Sequence, residues 1–355
     1  MKRFYINVTG GTGYNIALAS FISYIKENGD DNGNKDYEFY VCSPYYDTFE
    51  SCPYVTGVYK PNELRDMIYD CEANEGTLVL HRLYDMDEFV KKQITYAEAW
   101  AKLMNIPFTD DKTGSKVKAV FEPYKVYPIL KKHIEDIKKL VKDNGFKDYA
   151  IMQFCGSQSP LVQVPSEIGK DGKPTGKPDW SKVPYNYANE PLKRIYPIDK
   201  AQKFIELYHE VNPKTAIIMY QLPNEPSPNA DYIIKATIPY MSYYELAKGA
   251  KEVVCIDSSL QHLVAGVAPT TVIWGHSSND SNKSKEQTYF PFGYSYNKNV
   301  IQSCRRKDIL FFTALGPSGA KIKYIEPEEL LKVVKDTSAN KIYEEVNGEY
   351  TSNDK

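Results

Sequence analysis

The stretch Val253-Val-Cys-Ile-Asp-Ser-Ser-Leu-Gln-His-Leu-Val-Ala-Gly-Val267, running on through Ala268-Pro-Thr-Thr-Val-Ile-Trp-Gly275, decides the fold. Val253 to Ile256 is a short apolar run and reads as a buried strand. Asp257 closes it, and Ser258 and Ser259 stand where a helix opens, because their side-chain oxygens accept the unpaired N–H groups of a first turn. Leu260, Leu263, Val264 and Val267 then mark one apolar helical face, with His262 about one turn inside. Pro269 ends the helix, and Thr271 to Trp274 reads as the next strand. Strand, turn, helix and strand make a unit of a doubly wound α/β sheet, where a helix start beside a strand end attracts phosphates. Taken singly, Asp257, Ser258 and Ser259 read as capping residues and His262 as a packed histidine. Their convergence on one turn is what points to a ligand.

The same grammar runs through the rest of the chain. Phe4 to Val8 reads as a strand, followed by the turn Gly10-Gly-Thr-Gly13 and a helix from Tyr14 to Lys26. The glycines allow a close backbone approach, yet the turn lacks the lysine of a P-loop and the full GxGxxG pattern. Further strands are expected at Tyr37–Ser43, Pro53–Val58 and Thr77–His81, the last leading into His81-Arg-Leu-Tyr-Asp85 at a strand's carboxyl end. Helices are expected over Phe89–Met104 and Tyr127–Asn144, and Gly145 marks a boundary. The pattern restarts with a strand at Tyr149–Phe154, an irregular loop from Pro165 to Pro184, a helix from Ile198 to Val211 and a strand at Thr215–Tyr220. Ser242-Tyr-Tyr-Glu245 reads as a capping box opening a helix, and Glu326 to Lys335 as a late helix. The expected organisation is a first Rossmann-like domain over 1–145, a second over 146–337, and a polar tail over 338–355.

The chain has 355 residues, a formal net charge of -2 and a pI of about 6.3, so no basic excess advertises a nucleic-acid binder. Its six cysteines show no CxxC or CxxH spacing, which suits reduced thiols and a cytoplasmic location rather than a disulfide framework or zinc site. No run approaches the roughly 20 apolar residues of a transmembrane span, and the amino terminus lacks the apolar run of a signal peptide. Thirty tyrosines, with many Asn and Lys, suggest AT-rich coding, as in a viral or low-GC source.

Across about residues 149–335 an ordered set of motifs resembles the heptosyltransferase family of glycosyltransferases. Gly156-Ser157 resembles its first loop, Arg194-Ile-Tyr-Pro197 its K-x-W-P, and Gln221-Leu-Pro-Asn-Glu225 its strand-end loop with a glutamate. Ser242-Tyr-Tyr-Glu-Leu-Ala247 precedes Asp257-Ser-Ser-Leu-Gln-His262, which with Pro269 and Gly275 is similar to D-[ST]-G-x-x-H…P…G. The resemblance implies the GT-B fold: two Rossmann-like doubly wound domains facing a central cleft. It implies a nucleotide-diphosphate sugar as co-substrate on the second domain, with no other cofactor, and an acceptor on the first. Arg194 then meets the diphosphate, gripping it in the bidentate way that lysine cannot. Glu225 accepts from donor hydroxyls, and Asp257, Ser258 and His262 hold the diphosphate or sugar, with Ser259 and Ser157 beside them. Gly11, Thr12, Gly13 and Tyr14 form the acceptor-side loop. The sequence departs from the family in having Ser259 for a glycine, one residue fewer between Asp257 and Pro269, an insertion at 165–184, and Tyr14 where the family has its acid.

Sugar transfer needs a stabilised leaving diphosphate, a positioned acceptor and, with inversion, a base. A tyrosine with an ordinary pKa near ~10 is a poor base at neutral pH. The expected base is therefore Asp85, then His81, both after a strand of the first domain. No DxD motif or metal-ligand spacing is present, so a metal-independent, inverting transferase is expected. The acceptor is either a glycan such as lipopolysaccharide core or a hydroxymethylated base in phage DNA. The Lys-rich insertion (Lys170, Lys173, Lys177) suits DNA and the near-neutral charge does not. A nucleotide-sugar-binding protein without transferase activity is the competing class, and the absence of GxGxxG with a downstream acid speaks against a dehydrogenase.

Overall fold

In a computed structural model, the structure describes residues 1–90, 93–112, 114–155, 166–168, 174–178, 196–221, 228–235, 239–274, 293–301, 303–304, 312–313, 316–317, 322–336, 342–346 and 349–353. Two mainly parallel sheets carry the fold. The first consists of β1 (Lys2–Asn7), β2 (Tyr37–Cys42), β3 (Gly57–Tyr59) and β4 (Thr77–Val79), in the order β3-β2-β1-β4 with every pairing parallel. Side chains alternate along β1. Phe4 and Ile6 join the main core beside the helix Thr12–Asn28, whereas Tyr5 joins Cys42, Met67 and Cys71 under the helix Leu64–Ala73. Both faces are covered, as a parallel sheet requires.

The second sheet has eight strands: β5 (Asp148–Gln153), β6 (Thr215–Gln221), β7 (Tyr232–Lys235), β8 (Val253–Ile256), β9 (Thr270–Trp274), β10 (Lys298–Ile301), β11 (Ile342–Val346) and β12 (Glu349–Asn353). Their order is β12-β11-β10-β9-β8-β5-β6-β7, parallel throughout except for the β11–β12 hairpin. Alternation again sorts the side chains. Ala150, Met152, Ile217, Met219, Val254 and Ile256 face the helices Ile198–Val211 and Pro327–Lys335. Tyr149, Ile151, Ala216, Ile218, Val253 and Cys255 face the other way and belong to the same core as the first sheet. One apolar core therefore runs unbroken from one sheet to the other.

Most expected elements appear within a residue or two of their sequence limits; the strand expected at Pro53–Val58 is found at Gly57–Tyr59, the helix expected from Tyr127 starts at Leu130, and five further differences have a local cause. The helix expected over Phe89–Met104 is two, Asp87–Val90 and Tyr96–Leu103. Thr95 restarts it through a reciprocal cap: its Oγ1 accepts from the Glu98 N–H at 3.2 Å, and Glu98 accepts from the Thr95 N–H at 2.9 Å. The box expected at Ser242 is not a cap, because the helix Ser242–Ala247 already contains Ser242 and Glu245 pairs with Lys248 at 2.8 Å. The helix expected through Val267 stops at Val264, since Ala265 leaves the helical region and Gly266 takes a φ of 69°, which favours glycine. Within the loop expected to be irregular, Ser166–Ile168 and Pro174–Pro178 pair as a short antiparallel hairpin. The stretch expected to trail as a polar tail instead supplies β11 and β12, where Ile342, Tyr343 and Val346 are residues suited to a strand.

The chain crosses between the sheets along residues 105–122. Asp110 organises that crossing from a buried position: its carboxylate accepts from Thr95 Oγ1 (2.6 Å), Ser115 Oγ (2.7 Å), the Lys116 N–H (2.7 Å) and the Asp111 N–H (3.0 Å). Burial pushes this carboxyl up, and the four hydrogen bonds pull it back. Ser115 then forms an isolated parallel bridge with Tyr294, the Ala119 N–H donates to the Ala265 carbonyl at 3.0 Å, and the helix Leu130–Asp143 packs on the second sheet. Five cysteines, Cys42, Cys52, Cys71, Cys155 and Cys255, are free and buried. Among the described residues no helix is long and apolar enough to cross a membrane.

Glu252, just before β8, accepts from the Tyr208 hydroxyl at 2.6 Å. Burial raises its carboxyl above the ordinary range, while Tyr208, Lys298 and Lys251 oppose that shift. The unfolded chain releases this proton near ~4.3, so between that pH and the raised folded value the native state holds the extra proton. Stability from this group is therefore gained as pH falls from neutral toward ~4.3 and lost as pH rises through the folded pKa. Glu252→Gln keeps an acceptor for Tyr208 and removes the titration. The expected outcome is a smaller difference in urea midpoint between about pH 5 and about pH 7 than in the parent chain.

Candidate active site at the domain junction

The site begins with a glycine. Gly13, in the first turn of the helix Thr12–Asn28, lies so near the second domain that an added Cβ would stand 2.7 Å from His262 Cδ2, 3.2 Å from its Nε2 and 3.4 Å from Ser259 Cα. The Gly10–Gly13 turn of the first sheet and the Asp257–Ser259 turn of the second therefore meet face to face. Both follow the carboxyl end of a strand, β1 and β8, where doubly wound sheets place ligands.

The first turn is held from behind by Asn15, which is fully buried. Its Nδ2 donates to the Gly10 carbonyl at 3.0 Å and the Gly11 carbonyl at 2.9 Å, and its Oδ1 accepts from Ser43 Oγ at 2.6 Å. Gly11 caps the helix without a side chain, and Thr12 opens it half-buried. Tyr14 is buried against Tyr96 and Trp100, and its hydroxyl accepts from the Leu83 N–H at 2.9 Å. That bond ties the turn Leu83–Asp85, which follows β4, to the start of the first helix. Asp85 and His81 are exposed, and the Asp85 carboxylate accepts from the Arg82 N–H at 3.2 Å.

On the second domain Ser258 caps its helix, accepting from the Leu260 N–H at 3.2 Å, and donates to Gln153 Oε1 at 2.8 Å. Gln153 ends β5, so the bond links two adjacent strand ends. Ser259 Oγ donates to the Tyr240 hydroxyl at 2.9 Å, and Asp257 accepts from Gln261 Nε2 at 2.8 Å. His262 is 5% exposed, with its Nδ1 2.7 Å from the Tyr294 hydroxyl and the Tyr96 ring edge-on at 5.5 Å.

The structure thus brings together Gly11, Thr12, Gly13, Tyr14, Asp257, Ser258, Ser259 and His262, and through Tyr14 the turn bearing Asp85. Arg194, Glu225 and Ser157 lie outside the described residues. Among the described residues no group of three or more His, Cys, Asp or Glu side chains gathers as a metal site would require. Sequence reasoning missed Asn15, Gln153, Tyr240 and Tyr294. Gln153 carried a signal, being a polar residue at the end of an apolar strand. Tyr240 and Tyr294 carried none, because their partners lie 19 and 32 residues away, and Asn15, though it bonds the nearby Gly10 and Gly11 carbonyls, sits inside an apolar helical run with its third partner, Ser43, 28 residues away.

No protein-family model matches the chain, and no curated protein does. Solved structures do. A glycosyl transferase of family 9 from Veillonella parvula superposes with a TM-score of 0.55 at 10% identity, covering 94% of this chain and 96% of that one. The ADP-heptose lipopolysaccharide heptosyltransferase II of E. coli gives 0.47 at 10% identity, covering 94% and 97%. The E. coli heptosyltransferase WaaC with ADP gives 0.44 at 10% identity, covering 85% and 93%. The fold is therefore the α/β GT-B type, two Rossmann-like domains built on parallel sheets.

Gly13 and Gly11 provide a paired test of the junction. Alanine normally stabilises a helix interior by about 0.5–1 kcal/mol over glycine. Gly13→Ala is expected to reverse that sign and lower stability by about 1–3 kcal/mol, because the new methyl meets a pinned imidazole. Gly11→Ala, where nothing lies within 4 Å of the added Cβ, is expected to cost only what a weaker helix cap costs, no more than about 1 kcal/mol, and less than Gly13→Ala in urea denaturation.

Proposed function

We propose that this chain is a glycosyltransferase of the heptosyltransferase-like type, moving a sugar from a nucleotide-diphosphate donor to an acceptor hydroxyl. The observation that carries the reading is the meeting of Gly13 with Ser259 and His262 across the domain junction of a GT-B fold. A transferase must hold donor and acceptor on facing surfaces, with the reacting atoms close and water kept out. Here the facing surfaces are the two strand-end turns.

The donor belongs on the second domain, at Asp257, Ser258, Ser259 and His262, with Arg194, Glu225 and Ser157 in the roles the family resemblance gives them. Arg194 neutralises charge as the diphosphate departs. The acceptor lies beside Gly11 to Tyr14. Its hydroxyl oxygen forms the new bond to the sugar's anomeric carbon while the bond to the diphosphate oxygen breaks and a base removes the hydroxyl proton. Tyr14 cannot be that base, since it is buried and its hydroxyl is engaged with Leu83. Asp85 comes first and His81 second, because Tyr14 secures the turn that carries Asp85 against the glycine loop. The scheme is a single displacement with inversion at the anomeric carbon, and the proposal includes that it needs no metal. The acceptor is a glycan such as lipopolysaccharide core or a hydroxymethylated base in DNA. Salt-sensitive retention of the protein on duplex DNA separates the two.

The competing reading is a nucleotide-sugar-binding protein, favoured by the tyrosine at position 14. A panel of nucleotide sugars in a thermal-shift assay is expected to show one raising the melting temperature in proportion to the logarithm of its concentration. No response to any of them overturns the donor site, and tight binding without turnover on any acceptor favours the second reading. With turnover in hand, Asp85→Ala is expected to lower kcat by a factor of about 10² or more. Full activity in both Asp85→Ala and His81→Ala removes both as the base. Excess chelator is expected to leave the rate unchanged, and loss of activity refutes metal independence.

A further inference from the structure

We propose that Tyr294 is a positioning residue that fixes His262 as the neutral tautomer with its proton on Nε2. Only its consequence for turnover rests on the transferase reading above.

Hydrogen-bond satisfaction at the Tyr294 hydroxyl sets the tautomer. The Tyr294 ring is buried at 2% exposure, and its hydroxyl lies 2.7 Å from His262 Nδ1. Burial and the nearby Asp110 carboxylate both push the ionisation of Tyr294 far up, so the hydroxyl keeps its hydrogen. That hydrogen needs an acceptor. An O–H buried without one is penalised more heavily than a leftover lone pair on an oxygen. If Nδ1 carried a proton, it would donate to the hydroxyl oxygen and the hydroxyl hydrogen would face no acceptor. With Nδ1 bare, Tyr294 donates to it and the requirement is met. A neutral imidazole has one N–H, which then sits on Nε2.

Turning the ring over would set Cδ2 in place of Nδ1 and leave the Tyr294 hydroxyl without its acceptor. Tyr294 and Tyr96 both meet the ring edge-on, each with centroids 5.5 Å away. Tyr294 is itself held by the crossing between the sheets: the Ser115 N–H donates to the Gly293 carbonyl at 2.9 Å, and the Ser295 N–H donates to the Ser115 carbonyl at 3.1 Å. Ser115 in turn donates through Oγ to Asp110. The opposite edge of the imidazole, carrying Nε2 and Cδ2, faces Gly13. Tyr294 thus presents a fixed N–H donor toward the glycine turn of the first domain. In the transferase reading the fixed imidazole holds the glycine turn and the Asp257–Ser259 turn at one spacing, so that the surfaces carrying donor and acceptor are already in place when the reacting groups meet.

The test is ¹⁵N NMR of the full chain carrying labelled histidine, at about pH 8, well above the ordinary histidine pKa of about 6.5. His262 is assigned by the signals that vanish in His262→Gln. The expected result is one-bond H–N coupling at Nε2, none at Nδ1, and an Nδ1 shift typical of a hydrogen-bonded acceptor. Coupling at Nδ1, or protons on both nitrogens, overturns the proposal, and this measurement on the parent chain requires no variant to fold. In Tyr294→Phe, which keeps the ring, the Nδ1 shift is expected to move to that of a nitrogen without a donor. An unmoved shift also overturns the proposal. Where turnover is measurable, the same variant is expected to lose about tenfold in kcat with the donor KM changed less than twofold. Absence of turnover in the parent chain counts against the transferase reading and leaves the NMR outcome to decide the tautomer.

Discussion

At Gly13 the two halves of the chain approach until not even a methyl group fits between the first helix and the imidazole of His262. That closeness constrains the rest of the molecule. Tyr96 and Tyr294 flank the imidazole edge-on, and the Tyr294 hydroxyl bonds its Nδ1. Tyr96 stands at the start of a helix whose cap, Thr95, also donates to Asp110. Asp110 fixes the crossing segment, and the crossing segment fixes Tyr294. The contact at the junction and the route of the chain between the sheets form one closed circuit of packing and hydrogen bonds. Beneath the junction one apolar core continues from the first sheet to the second.

The site is assembled from polar groups that each act on backbone. Asn15 turns the Gly10 and Gly11 carbonyls toward itself, and Tyr14 holds the Leu83 N–H. Ser258 joins its own helix start to the neighbouring strand end through Gln153. These bonds restrict three loops that arise from different strands. A reaction between two bound molecules gains most when such loops are already in place.

The alternation of apolar residues with turn chemistry made both doubly wound units legible, and β8, with the helix Ile198–Val211, is found where the sequence places it. That information is local, and so it survives reading one residue after another. The hairpin β11–β12 was hidden because its polar, Glu-rich composition reads as solvated chain, and only pairing with β10 makes it a strand. The break at Thr95 was legible in principle, since Thr95 and Glu98 have the spacing of a capping box, but the apolar period runs across it. Within the site, the glycine turn and the Asp257–His262 cluster could be singled out from their own neighbours. Tyr294 could not be, because its role exists only through a partner 32 residues distant. Tyr14 was legible as a departure from the family pattern. What it does instead, tethering the turn after β4, depends on a contact 69 residues away.

The five free cysteines lead to a practical consequence. Each is no more than 5% exposed, and burial raises the thiols of Cys42, Cys52, Cys71 and Cys255, so that few thiolates form at neutral pH. Cys42 and Cys71 report on the first sheet and Cys255 on the second. Alkylating reagents, which attack thiolates at accessible sulfur, therefore act on these positions only when the surrounding layer opens. The order in which the sulfurs become modified is a clock for which half of the molecule breathes first, built into the chain without any added probe.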